Sequence, residues 1–72
     1  MQILYDVNKD LLYIRLDESK QAVINRRLSE DIVLDIGEAE RIVGIEIMEA
    51  SRHLNLESLL PVQYQIAPRV AA

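Results

Sequence analysis

Asp31, Asp35 and Glu46 are the residues of this 72-residue chain whose types and spacing come nearest to a chemical site. A turn centred on Glu38-Ala39 brings the runs Ile32-Val-Leu-Asp-Ile36 and Arg41-Ile-Val-Gly-Ile-Glu-Ile47 together. In that register Asp31 faces Glu46, and Asp35 lies four residues along on the same face. Closely spaced carboxylates raise one another's pKa toward the range useful for acid–base work, or hold a divalent cation. Like charges directly opposed across strands also destabilise a sheet. The competing reading is therefore a solvated strand end on which the charges splay apart, and it is the favoured one.

Two further groups imitate sites. Asp6, Asn8 and Asp10, followed by Asp17, have the spacing of the acidic ligands in a calcium loop. That loop requires Gly at its sixth position, where Leu11 stands, and Leu11–Leu16 is an apolar run that cannot wrap an ion. A turn stabilised by Asx side chains explains the same residues. His53 is the single histidine. Ser51 and Ser58, its nearest hydroxyls in sequence, sit at offsets that share no helical face with it, so a nucleophile–base pair is not indicated. A histidine near free carbonyls at a helix end is the simpler expectation. The two glycines, Gly37 and Gly44, make no phosphate-binding loop. No catalytic, cofactor-binding or metal-ligating residue is assigned, and no cofactor is expected.

Composition narrows the remaining classes. There is no cysteine, which excludes disulfides and thiolate metal sites. The net charge of −4 and the scattered Lys and Arg argue against direct nucleic-acid binding. The start Met1-Gln-Ile-Leu-Tyr-Asp6 lacks the pattern of a signal peptide, and no apolar stretch approaches the roughly 20 residues of a membrane span. A cytoplasmic protein without a membrane partner is expected. Trp and Phe are absent and Tyr5, Tyr13 and Tyr64 are the only aromatics, so the core must be aliphatic. A chain of this size buries only about 60% of its unfolded surface, and such domains commonly gain burial by association.

These residues must be positioned by a few short elements. Gln2–Asp6 and Leu11–Leu16 read as a hairpin around Asn8-Lys9, pairing Tyr5 with Leu12 and Ile3 with Ile14. Ala22–Leu28 is a third strand, Ile32–Ile36 a fourth and Arg41–Ile47 a fifth. The register through Glu38-Ala39 sets Leu34 opposite Val43 and Ile32 opposite Ile45. Glu49–Leu54 and Asn55–Leu60 read as one bent or two short helices ended by Pro61. The expected class is α+β: an antiparallel β-meander of about five strands with one or two short C-terminal helices packed on one face. Residues 1–60 form the domain. Residues 61–72 are a tail whose Val62-Gln-Tyr-Gln-Ile66 alternation fits an extra strand. Ile3, Leu12, Ile14, Ile32, Leu34, Val43, Ile45 and Ile47 are expected to bury together beneath the helix.

Tyr5-Asp6, Asp10-Leu-Leu-Tyr-Ile-Arg-Leu16, Val33-Leu-Asp35, Val43-Gly-Ile-Glu-Ile47 and Ala50-Ser51 resemble a small prokaryotic family, domain of unknown function 2283. The resemblance covers roughly residues 1–54. It implies a compact β-meander with a short helix and no assigned chemistry, and some relatives are encoded beside small toxin-like proteins. In that family the last hairpin often turns through an Asp-rich segment ending in Gly before the Arg. Here Glu40 occupies that place and a glycine comes earlier, at Gly37.

Both faces of the first hairpin are apolar: Ile3, Tyr5, Leu12 and Ile14 on one, Leu4, Leu11 and Tyr13 on the other. One short helix covers one face only, so a homo-oligomer, a dimer by preference, or a small protein partner is expected to cover the second. Glu30, Asp31, Asp35, Glu38 and Glu40, without a cation among them, form an acidic belt suited to a basic partner or to a solvated edge. The expected function is a protein–protein interaction or regulatory module. The alternative is a small carboxylate- or metal-dependent enzyme using Asp31, Asp35 and Glu46.

Overall fold

A computed structural model describes residues 1–59, 61 and 64–67. Five antiparallel strands, β1 (Gln2–Asp6), β2 (Leu11–Arg15), β3 (Ile24–Arg27), β4 (Ile32–Ile36) and β5 (Ile42–Ile47), form one sheet. Helix is slight: α1 (Ala50–His53) and single 3-10 turns at Glu38–Glu40 and Leu56–Ser58. The spatial order is β1-β2-β5-β4-β3, so the strands do not follow one another as a simple meander. Composition explains the rearrangement. A central strand must pack on both faces, and Ile-Val-Gly-Ile-Glu-Ile does so better than Ile-Asn-Arg-Arg. The latter takes an edge, where all four of its residues are exposed.

This order forces the chain to pass from β2 to the opposite edge. Residues 16–23 make the passage along the end of the sheet that also carries the β4–β5 turn. The amides of Leu16 and Asp17 both donate to the Val43 carbonyl, at 2.7 and 3.1 Å. Gln21 Oε1 accepts the Glu38 amide at 2.8 Å. A Cβ on Gly37 would lie 2.2 Å from that same Gln21 Oε1, so the close approach there depends on glycine.

The first hairpin has the register read from sequence, with Ile3 opposite Ile14 and Tyr5 opposite Leu12. The second does not. Leu34 faces Ile45 and Ile32 faces Ile47, two residues further along β5 than the Glu38-Ala39 centre implies. The slip arises because the turn is centred on Ala39-Glu40, one residue later than expected, and a bulge further interrupts the ladder at Asp35/Ile36. A shift of two preserves the facing of every side chain, so the apolar set stays on its predicted side.

That side meets the helical segment. Leu12, Ile47 and Ala50 form the buried centre, with Ile3, Ile14, Ile45, Leu54, Leu56 and Leu59 packed around them. Val43 is also buried, whereas Ile32 and Leu34 are only half-buried. The expected eight-residue core is therefore buried to uneven depth. Asn55 Oδ1 accepts the Glu57 amide at 3.2 Å and so caps the second helical turn. In the tail, Tyr64 and Ile66 are exposed, and 64–67 carry no strand pairing within this chain. Val62 and Gln63 lie outside the described residues.

Ala39 and Glu40 both adopt left-handed backbone angles, φ 54° and 56°, with the Arg41 amide donating to Glu38 O at 3.2 Å. Two consecutive positive φ values are those of a type I′ turn, which favours Asn-Gly. Glu40 thus sits where glycine fits, at a cost of about 1–2 kcal/mol per L-residue.

Two stability outcomes follow. Replacing Ala39-Glu40 by Asn-Gly should raise unfolding free energy by about 1 kcal/mol in urea titration. Loss of stability would refute a strained turn. Leu12→Ala should cost roughly 2–5 kcal/mol, and Leu34→Ala clearly less. Equal losses would show that burial is not concentrated under the helix.

Candidate functional site

Polar side chains gather in three places, and each draws on a residue singled out from the sequence. The first lies where the β1–β2 turn meets the start of α1. Asp10 holds φ 50°, a conformation aspartate tolerates better than most residues. Its carbonyl accepts the Ala50 amide at 2.9 Å. One carboxylate oxygen, Oδ2, accepts the Ser51 hydroxyl at 2.5 Å, and Oδ1 accepts the Tyr5 hydroxyl at 2.6 Å. The Ser51 amide donates to the same carboxylate at 3.1 and 3.3 Å. Donation from Ser51 and then from Tyr5 holds the Asp10 carboxyl below its ordinary value, and the bond to Asp10 raises the Tyr5 phenol.

These bonds consume the carboxylates of the calcium-like series. Asp6 Oδ1 accepts the Asn8 and Lys9 amides, closing an Asx turn. Asp17 accepts the Ser19 amide at 2.9 Å, beyond the far end of β2 and about 17 Å of strand away from Asp10. The four residues never converge. Their hydrogen bonds are those of turns and of a clasp between hairpin and helix.

The second place is the pair His53–Asp31, with Nε2 2.8 Å from Oδ2. It ties the last residue of α1 to the residue before β4, whose carbonyl also accepts the Met48 amide at 2.8 Å. His53 thus meets a side chain rather than the helix carbonyls expected for it, and a partner 22 positions away leaves no local pattern in the sequence. No serine completes a catalytic relay here. The Ser51 hydroxyl is committed to Asp10 instead.

The third place is the sheet face opposite the helix. Tyr13 faces Glu46 across β2 and β5, Asp35 faces Gly44 across β4 and β5, and Arg27 faces Val33 across β3 and β4. Gly44 leaves room for the Tyr13 ring: a Cβ there would lie 2.5 Å from the phenol oxygen. Asp35 is 8% exposed, and its Oδ1 has no hydrogen-bond partner. Interaction with Asp35 through a hydrogen bond, followed by burial, raises the Glu46 carboxyl. Burial and then the Asp35 charge raise the Tyr13 phenol.

The proposed carboxylate triad is thus split. The two-residue slip places Val33, not Asp31, opposite Glu46, and Asp31 turns to His53. Asp35 and Glu46 remain diagonal neighbours on one face. Among the described residues no group of three His, Cys, Asp or Glu side chains could hold a metal ion. The acidic belt dissolves as well, since Glu30 and Asp31 lie at one end of the sheet and Glu38 and Glu40 at the other. An open depression of about 270 Å³ adjoins the latter, between Lys20, Gln21 and Arg41. No helix among the described residues is long and apolar enough to cross a membrane.

The hairpin, the β4–β5 pair and the Asp10–Ser51 clasp fall within residues 2–51, the span matched by the family model described as protein of unknown function, DUF2283. The chain belongs to that family. In this DUF2283 domain the matched span includes all five strands and stops just inside α1, at Ser51. No curated protein and no solved structure matches the chain.

The clasp makes a pH-dependent outcome testable. A lowered carboxyl stabilises the fold fully above its ordinary value of 3.8 and loses that contribution as pH falls through the folded value. Asp10→Asn should therefore lower the Tm at neutral pH, with the deficit vanishing toward about pH 2. A deficit that stays constant on acidification would show that the ionised carboxylate contributes nothing.

Proposed function

We propose that this DUF2283 domain is a protein–protein interaction or regulatory module that acts as a homodimer, its fold a small α+β unit in which the helical segment serves as the second layer. One observation carries the reading: the helical segment packs on one face of the sheet, and apolar side chains stand on the other with nothing over them among the described residues. Leu4 is 53% exposed there, next to the half-buried Leu11 and Tyr13. Exposed aliphatics also occur on the helix side of the sheet toward the other edge, where Ile24 stands opposite Ile36. Exposed apolar side chains grouped in the way of Leu4, Leu11 and Tyr13 suit a contact site. A sheet of alternating apolar and polar rows also offers a self-complementary patch for two-fold pairing.

A small partner, toxin-like in the manner the family resemblance implies, is the other occupant this surface would take. The enzyme alternative has lost its third carboxylate to His53 and is not favoured by any distance in the site.

Sedimentation velocity at low micromolar concentration tests the proposal. The full chain should sediment at twice its 8.3 kDa mass. Leu4→Glu, at a side chain already half in water, should give a folded monomer with an unchanged circular dichroism spectrum. A wild-type chain that stays at 8.3 kDa across the concentration range would exclude the homodimer.

A further inference from the structure

We propose that Asp35 and Glu46 together form a proton-binding site on the open face of the sheet, a single proton on Glu46 being donated to Asp35 Oδ1. That oxygen is enclosed and has no donor, and the residue bearing it is only 8% exposed. The Tyr13 hydroxyl also interacts with Asp35, and Glu46 is another side chain there that can carry a hydrogen to it. A buried acceptor without a donor costs free energy that a native structure normally avoids. Glu46 is its diagonal neighbour, two residues along β5 from Gly44, the residue directly opposite Asp35. A carboxylate has no hydrogen to give, so two ionised side chains would leave Oδ1 unbonded and add a like-charge repulsion. One proton removes both penalties.

The surroundings fix where that proton resides. From β2, Tyr13 lies over Gly44 and closes the site from above, and Arg15 stands opposite Gly44 in the ladder. From β3, Arg27 faces the site but directs one guanidinium nitrogen to the Glu30 carbonyl at 2.6 Å. Asn25 stands opposite Asp35. Arg27 favours the ionised form of Glu46, and the bond to Asp35 together with burial outweighs it. Enclosure alone would favour the proton on Asp35, and it is the unpartnered Oδ1, an acceptor awaiting a donor, that assigns the proton to Glu46. The half-buried Glu46 carries the proton and exchanges it with solvent.

The sign of the resulting pH dependence is the reverse of that at Asp10. A carboxyl raised in the folded state stabilises the fold while it is protonated, fully below its ordinary value of 4.5. That contribution is lost as pH rises through the raised folded value. Below the transition Glu46 is neutral, and above it Glu46 adds one negative charge to the open face.

The test compares the wild type with Glu46→Gln, whose amide donates to Asp35 without titrating. Melting is followed from about pH 5 to about pH 8, and the Glu46 side-chain carboxyl carbon is titrated by NMR in the unaltered protein. The wild type should lose Tm relative to Glu46→Gln as pH rises, and the carbon should titrate above the ordinary glutamate value. Parallel melting profiles, or a Glu46 carbon titrating at about 4.5, would overturn the proposal. Addition of magnesium or calcium near pH 8 is the remaining arm. A rise in wild-type Tm that Glu46→Gln lacks would replace the proton by a metal ion and overturn it equally, and no change upholds it.

Discussion

The pairing of β2 with β5 is the constraint on which this small sheet depends. One unit is the β1–β2 hairpin and the other is the β3-β4-β5 array, and the ladder from Leu12↔Ile47 to Arg15↔Gly44 joins them. Leu12 and Ile47 are also at the centre of the aliphatic core, so one pair of residues supplies both ladder and packing. The helical segment leans on the same place. Ala50 is fully buried against it, and Leu54, Leu56 and Leu59 close around it. In a chain this short, burial that serves two purposes at once makes up for the missing bulk of Phe and Trp.

Asp10 secures that joint from outside. It lies at the end of the β1–β2 turn and takes hydrogen bonds from Tyr5 on β1 and from Ser51 on α1. The chain leaving β5 is thereby held to the hairpin whose strand β5 pairs with. Residues that spell a calcium loop by spacing are, in three dimensions, the hydrogen-bond acceptors of two turns and a helix start. Asx residues do such work because their short carboxylates reach backbone amides two or three positions away.

Much of this was legible beforehand, for identifiable reasons. Alternating apolar residues around Asn8-Lys9 specify one register for the first hairpin, and the structure has it. The second hairpin misled because its turn uses positive φ at Ala39 and Glu40, which neither residue advertises. A turn with Gly in place of Glu40 would have been easier to place. The error of two residues left the core side intact but exchanged charged neighbours, so Asp31 and Glu46 were paired where Asp35 and Glu46 meet. His53–Asp31 and the β2–β5 ladder were illegible for another reason. Both join segments far apart in the chain, and local periodicity holds no information about such meetings.

The position of β5 bears on how the chain can be made. Synthesis delivers β1 through β4 first, yet neither the hairpin nor the β3–β4 pair has a neighbour to lie against until β5 is available. Until Ile47 emerges, β2 and β4 each expose an open rim bordered by aliphatic side chains. Such rims attach readily to other nascent chains. The final strand must slot between two waiting partners, a topology rich in non-local contacts and correspondingly slow to form. Residues 16–23 settle in the same step. The Leu16 and Asp17 amides donate to Val43 of β5 itself, so the passage along the end of the sheet finds its anchor only when the last strand arrives.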